Sequence, residues 1–148
     1  MIPFSLPAKL SVPLGHAKNY WQSLKRGENP IPFADDLKLT LLPDVSDQLL
    51  LIDTFEKPQR FRLSSVGKHI RALFADDLEG RFIDEIDAKP PLEFLTAQAS
   101  ATVEGKAPTY FVHKAGHGQS RHPGYARLLL PLWGNGRVET ILAVFADV

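Results

Sequence analysis

The chain contains no cysteine among its 148 residues. This absence excludes disulfide bonds, thiolate metal ligands, a cysteine nucleophile and photochemistry through a cysteinyl–flavin adduct. A cysteine-free chain fits a reducing compartment by default, so we expect a cytoplasmic protein.

The sequence also lacks an excess of charge of either sign, since 17 lysine and arginine residues balance 17 aspartate and glutamate residues. A strongly basic chain would favour nucleic acid or an anionic membrane surface as a partner, and we expect neither here. No run approaches the roughly 18–20 apolar residues that cross a bilayer. Prolines interrupt the apolar N-terminus and no basic segment precedes it, so we do not expect a signal peptide.

Signatures of catalysis are missing as well. The sequence has no phosphate-cradling glycine loop, no nucleophile elbow and no HExxH motif. Ser64 and Ser65 fall in a predicted strand, which lacks the sharp turn that exposes a catalytic serine. We therefore expect a protein that is not an enzyme.

The residues that are present predict five strands. Leu49 to Phe55 and Arg60 to Val66 flank a turn and predict one hairpin. Thr109 to Lys114 predicts a third strand. The last two strands, Tyr125 to Trp133 and Val138 to Asp147, flank Gly134-Asn135-Gly136, a turn that needs positive φ angles.

Three helices are predicted around these strands. An extended lead-in over residues 1–14 precedes a helix from about His16 to Arg26. Residues 68–75 predict a short helix. Pro90-Pro91 is expected to open a longer helix, because proline is tolerated in the first turn, and Gly105 to close it. Between the first helix and the sheet, a turn-rich connector supplies apolar anchors, namely Leu37, Leu39, Leu41 and Leu42.

Several short segments, in this order, resemble the PAS domain, and in particular a bacterial single-domain PAS-like family. The matching pieces are Tyr20-Trp21, Leu41-Leu42-Pro43, Arg60-Phe61-Arg62-Leu63, Val66-Gly67, Leu73-Phe74, Leu78-Glu79-Gly80-Arg81, Leu129-Leu130-Pro131-Leu132 and the strand from Ile141 to Asp147. The resemblance implies an α+β fold, with a five-stranded antiparallel sheet in the order β2-β1-β5-β4-β3, helices on one face and an additional N-terminal helix. It divides the chain into an N-terminal extension and helix, residues 1–40, and a PAS-like domain, residues 41–148.

The resemblance implies a sensory or regulatory module in signal transduction, which binds a small ligand or a protein partner and acts through dimer or partner contacts. A structural interaction module with a filled core and no ligand is the first alternative. A small enzyme or metal-binding protein that uses the loop from His113 to His122 is the second. We expect no cofactor, because residues 90–104 contain no histidine to ligate a haem.

A ligand is expected in the wedge between the long helix and the inner face of the sheet, since ligands favour apolar concavities. The candidate ligand-binding residues are Phe61, Leu63, Ile70, Leu73, Phe74, Leu95, Ala99 and Leu130. Large side chains at these positions would favour a filled core and small ones a cavity, and the small residues Ala72, Ala97, Ala99 and Ser65 leave both open.

A homodimer is predicted through the N-terminal helix, with Tyr20, Trp21 and Leu24 as anchors, because large aromatic side chains need to be buried somewhere. The alternative is that these side chains cover the sheet of their own chain.

Two further patterns involve charged and histidine side chains. His113, His117 and His122 lie within ten residues, but the glycines among them exclude a helix that would align them, so we expect no metal site. The same acid-free stretch, between Glu104 and Glu139, carries Lys106, Lys114, Arg121, Arg127 and Arg137, whereas residues 76–93 are rich in aspartate and glutamate. These charges are expected either to meet a partner or to neutralise each other within the fold.

Overall fold

The computed structural model describes residues 4–86, 89–114 and 124–148. Five strands form one antiparallel sheet in the order β2-β1-β5-β4-β3. They are β1 (Leu49–Phe55), β2 (Arg60–Val66), β3 (Thr109–His113), β4 (Tyr125–Gly134) and β5 (Arg137–Asp147). Both predicted hairpins lie in this sheet, so the predicted topology is confirmed.

The hairpin between β4 and β5 has the backbone that its sequence predicts. Asn135 and Gly136 lie at φ angles of 52° and 77°. Two consecutive residues with positive φ match the right-handed twist of the flanking strands, and asparagine and glycine adopt this conformation most easily. The turn thereby sets the register in which Leu129 opposes Ala143.

The described helices are α1 (Val12–Ser23), α2 (Lys68–Arg71) and α3 (Leu95–Gly105). Helix α1 begins at Val12 rather than His16, because a proline in its first turn has no helical hydrogen bond to lose. Helix α2 is shorter than the predicted segment 68–75. No helix in the described ranges is both long and apolar enough to cross a membrane.

The prediction that Pro90-Pro91 opens the long helix is wrong. Helix α3 begins at Leu95, and Phe94 before it has a left-handed backbone with φ of 60°. A residue in that conformation cannot continue a right-handed helix toward its N-terminus. The prolines therefore belong to an irregular segment, residues 89–94, that leads into the helix.

One face of the sheet packs against α2, α3 and the connections between them. We call this cluster the inner core; its fully buried members include Leu50, Ile52, Phe61, Leu63, Ile70, Leu95, Ala99 and Leu129. The sequence predicts helices over this face.

The opposite face is covered by the N-terminal part of the same chain. We call this cluster the outer core; it brings Leu14, Ala17 and Trp21 of α1 against Leu128, Leu130, Leu132, Leu142 and Val144 of the sheet. Strand neighbours alternate between the two faces, and both faces of β4 and β5 are therefore buried.

The connector before β1 contributes fewer anchors than predicted. Leu42 is 3% exposed and belongs to the outer core, and Leu37 and Leu39 pack partly against it. Leu41, however, is 60% exposed. It ends a short 3₁₀ turn, Leu39–Leu41, whose tight winding directs neighbouring side chains to different sides.

Trp21 holds α1 to the sheet through its indole nitrogen. The side chain is 2% exposed, and Nε1 donates a 2.7 Å hydrogen bond to the carbonyl oxygen of Pro131.

Replacement of Trp21 by phenylalanine leaves that buried carbonyl without its donor, so we expect a loss of about 1–3 kcal/mol in the free energy of unfolding. Urea denaturation measures it. The matched control is Trp133→Phe, whose indole N–H makes no hydrogen bond with the described residues, and equal losses in both variants would contradict the role given to the bond.

Candidate functional site beneath helix α3

Five of the predicted ligand-binding residues lie together beneath α3. Each is between 0% and 3% exposed and each belongs to the inner core: Phe61, Leu63, Ile70, Leu95 and Ala99. Phe74 packs partly against the same cluster. The sequence thus brings most of the predicted wall into one place, while the binding of a ligand there stays a prediction.

Leu130 and Leu73 do not belong to this group. Leu130 lies in the outer core, on the opposite face from Leu129, because successive residues of a strand point to opposite faces. Leu73 is 39% exposed, since α2 ends at Arg71 and the helical spacing that would bury Leu73 does not extend to it.

The most unusual side chain beneath α3 is Arg127, which comes from β4 and is 0% exposed. Its Nε donates to Oε1 of Gln98 at 2.7 Å. Its Nη1 donates to the carbonyl of Pro91 at 2.8 Å, and its Nη2 to the carbonyl of Glu93 at 2.9 Å. Burial lowers the pKa of Arg127 to about 10, which leaves the guanidinium charged at neutral pH. One cation therefore joins the sheet, α3 and the segment before α3.

Gln98 continues this network to the edge strand. Its Nε2 donates to Oγ1 of Thr109 at 3.0 Å, and the hydroxyls of Thr102 and Thr109 lie 2.7 Å apart. All three side chains are buried. Among the described residues, every buried side-chain nitrogen and oxygen has a hydrogen-bond partner, so the network fixes α3 against β3 and β4 without an unpaired group.

A second set of polar side chains borders Arg127 on the side of β3. The Tyr125 hydroxyl donates to Oε1 of Glu93 at 3.1 Å, and Nδ1 of His113 lies 3.0 Å from the same oxygen. The rings of His113 and Tyr125 stack with centroids 5.5 Å apart. Phe111 adds an aromatic face 4.8 Å from the Arg127 guanidinium carbon. These contacts hold the start of α3 to the edge of the sheet.

The burial of Arg127 could be predicted from its position in β4, although its charge pointed to the surface. Arginine at this position suggested a surface residue within a basic stretch. In β4, however, Arg127 lies two residues from both Tyr125 and Leu129, which belong to the inner core, so a period of two places Arg127 on the same face.

The stability of the protein is expected to depend on pH through the raised pKa of Tyr125. Burial raises the pKa of the Tyr125 hydroxyl above its usual range, whereas the phenol ionises near pH 10 in an unfolded chain. This contribution to stability is therefore complete below about pH 10 and is lost as the pH rises above it. We expect the free energy of unfolding of Tyr125→Phe to fall less steeply above pH 10 than that of the wild type. Denaturant titrations across this range measure the slopes, and identical slopes would contradict the assignment.

The histidine loop lies largely outside the described residues, since His117 and His122 fall between 115 and 123. His113 interacts with Glu93 and Tyr125. Within the described ranges, no group of three or more histidine, aspartate or glutamate side chains is placed to hold a metal ion.

The predicted dimer anchors occupy different environments. Trp21 is buried in the outer core of its own chain, so it is not available as a surface anchor and that part of the prediction is wrong. Tyr20 is partly buried and its hydroxyl accepts a 2.9 Å hydrogen bond from the backbone nitrogen of Lys38. Tyr20 and Leu24 line a surface depression with Leu41. A homodimer through this surface stays a prediction.

Two clefts lie at the margins of the inner core. One, of about 250 Å³, is called the Trp133 cleft here and is lined by Asn29, Pro30, Ile31, Phe33, Lys106 and Trp133. The other, of about 220 Å³, is called the Phe74 cleft and is lined by Phe74, Ala75, Asp76, Leu78, Arg81, Glu85, Ile86 and Lys89. Neither cleft is predicted by the sequence, although Phe74 was expected near a ligand.

Comparisons with known proteins agree with this architecture at the level of the fold. No protein-family model matches the chain, and the search of curated proteins found no match. Among solved structures, the chain matches a sensory box sensor histidine kinase from Vibrio cholerae, with a TM-score of 0.52 and 13% sequence identity, over 91% of this chain and 97% of that chain. At this identity the likeness shows the fold alone. The chain has a PAS-like α+β fold, as the resemblance predicts.

Proposed function

We propose that this chain is a PAS-like sensory module that regulates another protein through direct contact. The observation that carries the proposal is the position of Arg127, whose three hydrogen bonds join the helical layer to the sheet. A contact that moves α3 or the segment 89–94 has to break bonds to β4. A local event in the helical layer therefore has a physical route to the sheet.

The proposed input is a small molecule held at the margin of the inner core rather than at its centre. The central side chains pack against one another, whereas both clefts described above open beside the helical layer. Solvent-accessible clefts need no rearrangement of the core for a ligand to enter. The PAS-like fold, shared with a Vibrio cholerae protein named as a sensory box sensor histidine kinase, supports a sensory role.

Native mass spectrometry of the gently purified protein tests this function. We expect a fraction of the protein to carry an additional mass that mild denaturation releases. The hydrogen exchange of α3 and β4 is expected to slow when that molecule is restored. Protein that carries no additional mass under any purification condition, and that binds no small molecule added afterwards, would reject the small-molecule input.

A regulatory interaction module without a ligand is the second candidate. It is favoured by the packing beneath α3, where Leu63, Leu95 and Ala99 are each 0% exposed. In that case the partner contact itself is the input. A cytoplasmic location and self-association are predictions in both versions.

A further inference from the structure

The Trp133 cleft is built where the chain before β1 returns to the end of β4. The Trp133 backbone nitrogen donates a 2.8 Å hydrogen bond to the carbonyl of Pro32, and Phe33 pairs with Trp133 as a parallel bridge. This pairing fixes the segment 29–33 beside the indole ring. The cleft is therefore formed by paired backbone rather than by side chains alone.

The walls of the cleft offer apolar and aromatic surface. Ile31 is 3% exposed and belongs to the inner core, and Trp133 packs against that core while remaining half-buried. Phe33 supplies a second ring. Two aromatic side chains beside a small cleft favour a planar ligand, which can stack on one ring and meet the edge of the other.

The charge at the rim comes from Lys106, whose Nζ lies 5.8 Å from the Trp133 ring centroid. Within the described ranges, no carboxylate forms an ion pair with Lys106. Arg26, in contrast, lies over Phe33 but is already paired with Asp36 at 2.6 Å. Lys106 is thus the cation at this rim that can accept an anionic group.

The end of α3 limits how much negative charge the cleft accepts. The helix ends at Gly105, and Lys106 follows with a left-handed backbone, φ 52°. A helix C-terminus carries about half a negative charge, which opposes an anion. The full positive charge of Lys106 outweighs it for a single carboxylate, and a doubly charged group is disfavoured.

We infer that the Trp133 cleft binds a small aromatic monocarboxylate, with its ring against Trp133 and its carboxylate paired with Lys106. The volume of about 250 Å³ lies just below the range of roughly 300–1,000 Å³ that drug-sized ligands occupy, so one or two rings fit. This inference rests on the proposed sensory function, for which it names a ligand class and a position.

Isothermal titration of the full chain with 2-naphthoate tests the inference, with 2-naphthamide as the neutral probe of matched shape. We expect saturable binding of the carboxylate, about three- to fivefold tighter than that of the amide, which is the range that an exposed ion pair supplies, and weakened by salt. Lys106→Gln is expected to weaken 2-naphthoate binding by a similar factor and to leave amide binding unchanged. Lys68→Gln, which removes an exposed lysine from α2, is the matched control and leaves both unchanged. Trp133→Leu weakens both probes.

These outcomes distinguish failure of the Trp133 cleft from failure of the proposed sensory function. Equal affinity for the two probes, or a carboxylate affinity that Lys106→Gln does not change, would overturn the assignment. Failure of 2-naphthoate to bind, combined with a retained molecule in native mass spectrometry, overturns this cleft and leaves the sensory function intact. Saturable binding that depends on Lys106, in protein that retains no molecule, supports the cleft and identifies a ligand that is lost during purification.

Discussion

Replacement of Arg127 by methionine is expected to lower the free energy of unfolding by about 3–5 kcal/mol, the range found when one partner of a buried charged network is removed. Methionine fills similar volume but leaves three acceptors without donors: Oε1 of Gln98 and the carbonyls of Pro91 and Glu93. Each unsatisfied buried acceptor costs about 1–3 kcal/mol, and relief from burying the cation offsets part of the sum. Denaturant unfolding followed by circular dichroism measures the loss.

Arg71→Met is the matched control for this replacement. Arg71 is exposed and lies 3.8 Å from Glu79, a surface pair that contributes at most about 1 kcal/mol. A double-mutant cycle of Arg127→Met with Gln98→Met isolates the bond between them, and we expect a coupling above about 0.5 kcal/mol. A loss below about 1 kcal/mol for Arg127→Met would show that the network does not hold the helical layer to the sheet.

Replacement of Phe61 by alanine is expected to cost a similar amount for a different reason. Phe61 is 3% exposed in the inner core, and deletion of a buried phenylalanine ring costs about 3–5 kcal/mol through lost burial and the cavity that remains. Urea denaturation gives this value directly. The expected loss applies if the ring fills the core, as its packing indicates.

The same replacement also tests whether a ligand lies within the inner core itself. A smaller loss in the free energy of unfolding, together with a change in the small molecule retained in native mass spectrometry, would show that Phe61 lines a ligand site instead. Phe94→Ala is the control, because Phe94 is 63% exposed and its removal should change the stability by no more than about 0.5 kcal/mol.

The sheet could be predicted because its signals are local. The period-two strands and the turn at Asn135 and Gly136 depend on neighbouring residues alone, and they determine which strands pair. The side chains beneath α3 could be predicted in part, since Phe61 and Leu63 lie there, whereas Leu130 lies on the opposite face of the sheet and Leu73 is exposed.

The remaining features depend on contacts between distant segments. The hydrogen bond from Trp21 to Pro131 spans most of the chain, and no local pattern around Trp21 indicates it. The segment before α3 takes its conformation together with the guanidinium of Arg127, a residue far from it in sequence. The continuous apolar runs of β4 and β5 did indicate that another segment covers the second face of the sheet, since strands buried on both faces lack polar alternation.

The two-sided burial of the sheet also determines how the molecule opens. β1, β5 and β4 pair with strands on both sides and lie between the inner and outer cores, so we expect their amides to exchange with solvent only when the whole domain unfolds. β2 and β3 lie at the edges and exchange through smaller fluctuations. We therefore expect hydrogen exchange to report global stability at the centre of this sheet and local events at its edges, of which β3 is attached to α3 through Gln98 and Thr109.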